Sequence, residues 1–303
     1  MDAAFEADAF EELAVGVPGA HLQLRPHDQA DRVQVYGSVP EADPETARAL
    51  FNRKEISTHH SGDRLVVYGK RLSADISDWR WRRDHRTTVR FEVHVPPDLA
   101  VVAQVPGGIV DASSLAGPLE LSVPGGSVRA DEITGPLHVR GSGGSLAIHD
   151  TTDAALDLEW GAGSVTLERL RTTDTTLQAR AAPTTVREQD GSADLEVQGA
   201  GLTLEALSGP CQATVHGGTL TYEGAPDHET SLRTVGGALR ASLPSGHAAA
   251  LSLMGPRVGL DDAFAFEGTR TARRIEGRLN GGGPAFHGSA ADAQVHCSVL
   301  KSA

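Results

Sequence analysis

Between Leu99 and Leu260 the chain returns to the same pattern every eighteen or nineteen residues, and that period limits the folds open to it. One mostly apolar column lies just after the glycine corners: Val110, Val128, Leu146, Val165, Thr184, Leu202, Leu220, Leu239 and Val258. Two residues further on lie Ala112, Ala130, Ile148, Leu167, Val186, Leu204, Tyr222, Ala241 and Leu260. Two more columns precede the glycines, one from Val101 through Leu119 to Ala249 and one from Ala103 through Leu121 to Leu251. Within each unit these positions alternate with polar residues, as in Leu119-Glu120-Leu121-Ser122-Val123. A period of two marks strands with one buried face.

Each unit therefore holds two short strands joined at glycine corners. Gly107-Gly108, Gly125-Gly126, Gly143-Gly144, Gly217-Gly218 and Gly236-Gly237 form one set, and Gly117-Pro118, Gly135-Pro136 and Gly209-Pro210 the opposite one. A single unit cannot bury its apolar face, but stacked units can. At the ~4.8 Å spacing of neighbouring strands, nine coils make a rod about 40 Å long. The expected fold is all-β, a single-stranded parallel β-solenoid (β-helix).

The organisation expected is one continuous elongated domain. Residues 1–98 form strand-rich N-terminal capping coils, 99–262 the regular repeats, and 263–303 the closing coils and cap. One helix is expected near 44–54, with Asp43 as its cap, Pro44 in its first turn, and Ala47, Leu50 and Phe51 on its apolar side. Aromatic residues make up 4% of the chain, which suits a narrow aliphatic core.

The net charge of −13 argues against nucleic acid and against anionic membrane surfaces, both of which need a basic footprint. No apolar run approaches the length of a membrane span, and the first residues carry neither a basic nor an apolar signal region. Cys211 and Cys297 are the only cysteines, and two unclustered cysteines suit a reducing compartment. The expected location is cytoplasmic, peripheral to a membrane only through a partner.

These features resemble the bacterial putative-adhesin β-solenoid family of unknown function, also called toastrack. The resemblance rests on the opening run Leu13, Val15, Leu22, Leu24, Val33 and Val35. It rests also on the strand Phe91-Glu92-Val93-His94-Val95-Pro96 leading into the repeats, and on the glycine-rich final turn at Gly281-Gly282-Gly283-Pro284. The resemblance implies no catalytic residues and no cofactor, and it implies a link to the bacterial envelope and its stress signalling.

The most unusual local stretch holds Trp79, Arg80, Trp81, Arg82, Arg83 and Arg86. In an acidic chain poor in aromatics, a Trp/Arg cluster is a candidate contact patch for a protein partner. The bland alternative is that the tryptophans plug the solenoid end. Outward Thr166, Thr185, Thr203 and Thr221 are expected to form a ladder, either a binding face or simply a favourable β surface.

Asp261-Asp262 is the one candidate for a polysaccharide-active enzyme, although adjacent strand residues point to opposite faces. His59-His60 offers no zinc spacing, and the recurrent glycines make no phosphate loop. The leading expectation is a non-catalytic binding or scaffold protein. A structural protein polymerising end to end is the alternative.

Overall fold

The computed structural model describes residues 2–7, 10–29, 31–40, 42–53, 55–69 and 89–300. The chain divides into two compact units, Met1–Leu146 and Ala147–Ala303. Both are built from strands. Among the described residues the one α-helix is Pro44–Arg53.

The helix starts as its residues dictate. The Asp43 carboxylate accepts the backbone N–H of Glu45 at 3.0 Å and of Thr46 at 2.9 Å, and the Thr46 hydroxyl donates to it at 2.6 Å. Leu50 is buried, and the Phe51 ring meets Phe91 edge-on with centroids 6.2 Å apart.

The parallel stack follows the period. In the first unit Leu119–Asp131 runs beside both Ala100–Gln104 and Ile109–Ser113, pairing Leu119 with Val101 and Val128 with Val110. In the second unit Ser164–Arg180 and Thr184–Gln198 pair along most of their lengths, Val165 with Thr184 and Leu177 with Leu195. Thr184 then meets Leu202, Leu202 meets Leu220, and Leu220 meets Leu239. Inward residues of these columns are buried, including Leu121, Leu158, Leu195, Leu204 and Leu232. Large residues sit beside small ones: Trp160 is paired with Ala179, and Tyr222 with Ala241. The fold is the all-β solenoid that the period predicts.

The glycine corners have a steric cause. A Cβ at Gly126 would overlap the carbonyl oxygen of Gly108 one coil away, and a Cβ at Gly237 would overlap that of Gly218. Successive corners approach so closely that only hydrogen fits.

The ends depart from a simple spiral. In the first unit the first coil, Glu12–Gly16 and His21–Pro26, lies inside the stack. Glu12–Gly16 is held between Ala100–Gln104 and Arg64–Tyr68, and His21–Pro26 between Ile109–Ser113 and Arg90–Val95. Antiparallel strands then close that end, Ser57–Ser61 on Arg64–Tyr68 and Arg32–Ser38 on Arg90–Val95, with Asp2–Glu6 outermost.

The second unit does the same with its last coil. Ala285–Ala290 sits between Thr230–Val235 and Ala249–Met254, and Gln294–Val299 between Leu239–Leu243 and Arg257–Leu260. Leu239 and Val258 therefore share a column without touching, because Val295 lies between them. On the other face Thr230 shares its column with Phe286 and Leu251 rather than with Ala249. That slip of two residues keeps every side chain on its face. Arg274–Leu279 closes Ala249–Met254 antiparallel, and Phe266–Arg270 lies outermost.

Candidate functional site

In the second unit the four threonines stand in register. Thr166 pairs with Thr185, Thr185 with Thr203, and Thr203 with Thr221, all half-buried on the outer face of one sheet. Two residues along each strand runs a charged column. Glu168 lies 3.5 Å from His149 and 3.2 Å from Arg187, and Arg187 reaches Glu205 at 2.8 Å. The neighbouring carboxylates raise the Arg187 guanidinium above its ordinary value, chiefly through the bond to Glu205. A flat strip of hydroxyls therefore runs beside a strip of paired charges, with one step per coil.

The segment carrying Trp79, Arg80, Trp81, Arg82, Arg83 and Arg86 lies outside the described residues.

Two perturbed carboxylates, Asp227 and Asp261, are bound to backbone amides. Asp227 accepts the Gly209 N–H at 3.0 Å, the Ser208 hydroxyl at 2.7 Å and a His228 contact at 2.9 Å. These bonds, the Gly209 amide foremost, hold its carboxyl far below the usual carboxylate range. Asp261 accepts the N–H of Ala263 at 3.0 Å and of Val299 at 3.4 Å, which lowers it too. Its neighbour Asp262 pairs instead with Arg270 at 3.0 Å. The two carboxylates thus have separate partners, one closing a turn and the other on the surface.

Asp227 gives a pH-dependent expectation. Its carboxyl is depressed by folding, so its contribution is present above the unfolded value near 3.8 and is lost as pH falls towards the folded one. Asp227→Asn should cost about 1 kcal/mol at neutral pH, because its bonds are charge-assisted but half-exposed. The gap between the two denaturation curves should narrow below about pH 4.

Cys211 and Cys297 are buried and free. Burial pushes both thiols up to about 12. Each fills an inward position, Cys211 beside Ala193 and Thr230, and Cys297 beside Ala241 and Leu260. Neither should react with a thiol reagent at pH 8 while the chain is folded, and both should react in denaturant, since only exposed thiolate is nucleophilic.

His60 packs edge-on against Phe5 and Phe10, each with centroids 5.8 Å away. Among the described residues no three His, Cys, Asp or Glu side chains converge where a metal ion would sit.

Sequence reasoning missed one feature. At the corner before each inward Leu170-type position, Asp150, Arg169, Glu188 and Ala206 take left-handed backbone with φ of 53°, 54°, 51° and 53°. Their spacing of 19, 19 and 18 was the available signal, hidden because none is glycine. Beside them Thr152, Arg171, Asp190 and Ser208 form a parallel column. Between the two columns lies a groove of about 420 Å³. Asp150 holds Arg169 through two bonds of 2.7 Å. That pairing lowers the carboxyl and raises the guanidinium.

Fold and surface together define a repeat protein of the β-solenoid class. No protein-family model matches the chain, and no curated protein matches it. Among solved structures it is similar to a "putative cell adhesion protein" from Clostridium sporogenes, at 8% identity over 99% of both chains with a TM-score of 0.24. It is also similar to a "putative adhesin" from Bacteroides fragilis, at 12% identity over 99% of this chain and 96% of that one, with a TM-score of 0.36. Both likenesses run the length of the chain at low identity and low TM-score.

Proposed function

We propose that this protein is a non-catalytic binding or scaffold protein that offers repeat-built surfaces to a protein partner. The observation that carries this reading is the outer face of the second unit. Four threonines and an ion-paired column stand there at one step per coil, a surface suited to contact over several coils. The depressed carboxylates support it as well. Asp43 is held ionised by the Thr46 hydroxyl and then by backbone amides, Asp150 by an arginine, and Asp227 and Asp261 chiefly by backbone amides, which suits a structural bond and not a proton donor.

The Trp79–Arg86 stretch is the proposed anchor for the partner, by composition: tryptophan and arginine dominate interface energetics. The finer reading, an interaction module in bacterial envelope-stress regulation acting from the cytoplasm, rests on the sequence resemblance. End-to-end polymerisation finds less support. Each unit has antiparallel strands closing one side of its stack, and the outer edge of Arg257–Leu260 is covered through the Val258 N–H, which donates to the Ala272 carbonyl at 3.0 Å.

The test compares the native chain with the Trp79→Ala, Trp81→Ala double variant. Both should give the same circular dichroism, and only the native chain should retain a defined partner on purification from its own host. A partner retained equally by both removes the proposed anchor. Polysaccharide turnover abolished by Asp261→Asn would overturn the non-catalytic reading itself.

A further inference from the structure

The groove of the second unit presents charge in a definite order. Its floor is the inward pair Leu170 and Gln189. One coil sets Arg169 and Arg171 on its two walls, and the next sets Glu188 and Asp190 there. Arg169 is already taken by Asp150. Arg171 and Asp190 stand side by side in register, yet no ion pair joins them. On the floor Gln189, 1% exposed, donates its amide to the Ser192 carbonyl at 3.4 Å, and its Oε1 has no partner.

Glu188 and Arg169 hold their long side chains at left-handed corners, where a residue with a Cβ costs about 1 kcal/mol or more relative to glycine. The opposite corners of the same coils place small residues at their left-handed positions, Ala181 after Arg169's coil and Gly199 after Glu188's. Long charged residues stand at strained positions along the groove, Glu188 lies in the field of Arg169, and Arg171 and Asp190 are joined by no ion pair, an arrangement that fits a ligand bringing the opposite charges.

We propose that this groove binds an extended peptide segment carrying an acidic and a basic side chain on the same face, two residues apart. The acid meets Arg171, and the base lies between Glu188 and Asp190. Four coils make the groove about 14 Å long at the strand spacing, the reach of about four extended residues. Its lining holds no aromatic side chain on which a sugar ring would stack. The proposal rests on the binding reading and deepens it by naming one partner chemistry for this groove.

Fluorescence anisotropy with three labelled hexapeptides of the full chain tests it: one alternating Glu-Ala-Lys, one with both charges acidic and one with both basic. The mixed peptide should bind at least tenfold more tightly than either control and weaken as salt rises. Arg171→Ala should remove most of that preference, and so should Glu188→Gln with Asp190→Asn. All three residues are exposed, so these variants are expected to fold, and unchanged circular dichroism checks it. Equal binding of the three peptides, no binding, or full affinity in the variants overturns the proposal, as does preferential binding of an amino-sugar and uronic-acid glycan. If the peptides fail while the Trp79, Trp81 double variant still loses its partner, the groove assignment falls and the binding reading stands.

Discussion

Gly237→Ala should lower the unfolding free energy by about 3 kcal/mol, the upper range for forcing an atom into a packed site. The new Cβ would overlap the carbonyl oxygen and carbon of Gly218, and backbone cannot swing aside as a side chain does. The same contact recurs from Gly218 onto Ala200, so relief at one corner would displace the next. Gly246→Ala is the control. Nothing lies within 4 Å of its Cβ position, and the change should be neutral or stabilise by up to about 1 kcal/mol through the unfolded chain. Denaturant midpoints of the two variants measure the contrast. Equal effects would mean that the coils are not in van der Waals contact at their corners.

Trp160→Ala should cost about 3–5 kcal/mol, in the range found for buried aromatic deletions. Trp160 is 1% exposed, and Ala179 beside it is too small to fill the space left behind. In the next coil of that column stands Val197, paired with Ala179 from the other side. A chain so poor in aromatics has few other large side chains with which to repack. A loss below about 1 kcal/mol in equilibrium unfolding would mean the core is loosely packed there.

Much of this architecture is legible in the sequence because its physics is local and repetitive. Alternation with period two placed Leu119, Leu121, Val128 and Ala130 inward, and the structure buries all four. The helix was readable from Asp43-Pro44 and the apolar side holding Leu50. Spacing alone aligns Thr166, Thr185, Thr203 and Thr221, and the four stand opposite one another on successive strands.

The end of the second unit was not legible. The interval from Leu239 to Val258 equals one coil, but pairing depends on which strand fits between, and periodicity carries no record of an insertion. The fit lies in side-chain size. Phe286 meets Tyr222 edge-on at 5.5 Å, while Gly288 leaves room where a Cβ would come within 2.8 Å of Leu253 and 2.9 Å of Leu239. The charged groove escaped notice for a different reason. Left-handed corners are normally found by their glycines, and here Asp150, Arg169 and Glu188 occupy them.

The stacking order of the second unit underlies both its surface and its closed end, and paired cysteines test it most directly. Arg233, Ser289 and Met254 form one outward column in that order across three parallel strands. Arg233→Cys with Ser289→Cys places the two Cα atoms at the strand spacing of about 4.8 Å, within disulfide reach. The pair should oxidise fully in the native state, while Arg233→Cys with Ser252→Cys, the neighbours of an uninterrupted spiral, should not. Bonding of the second pair without the first would contradict the inserted coil and the account built on it.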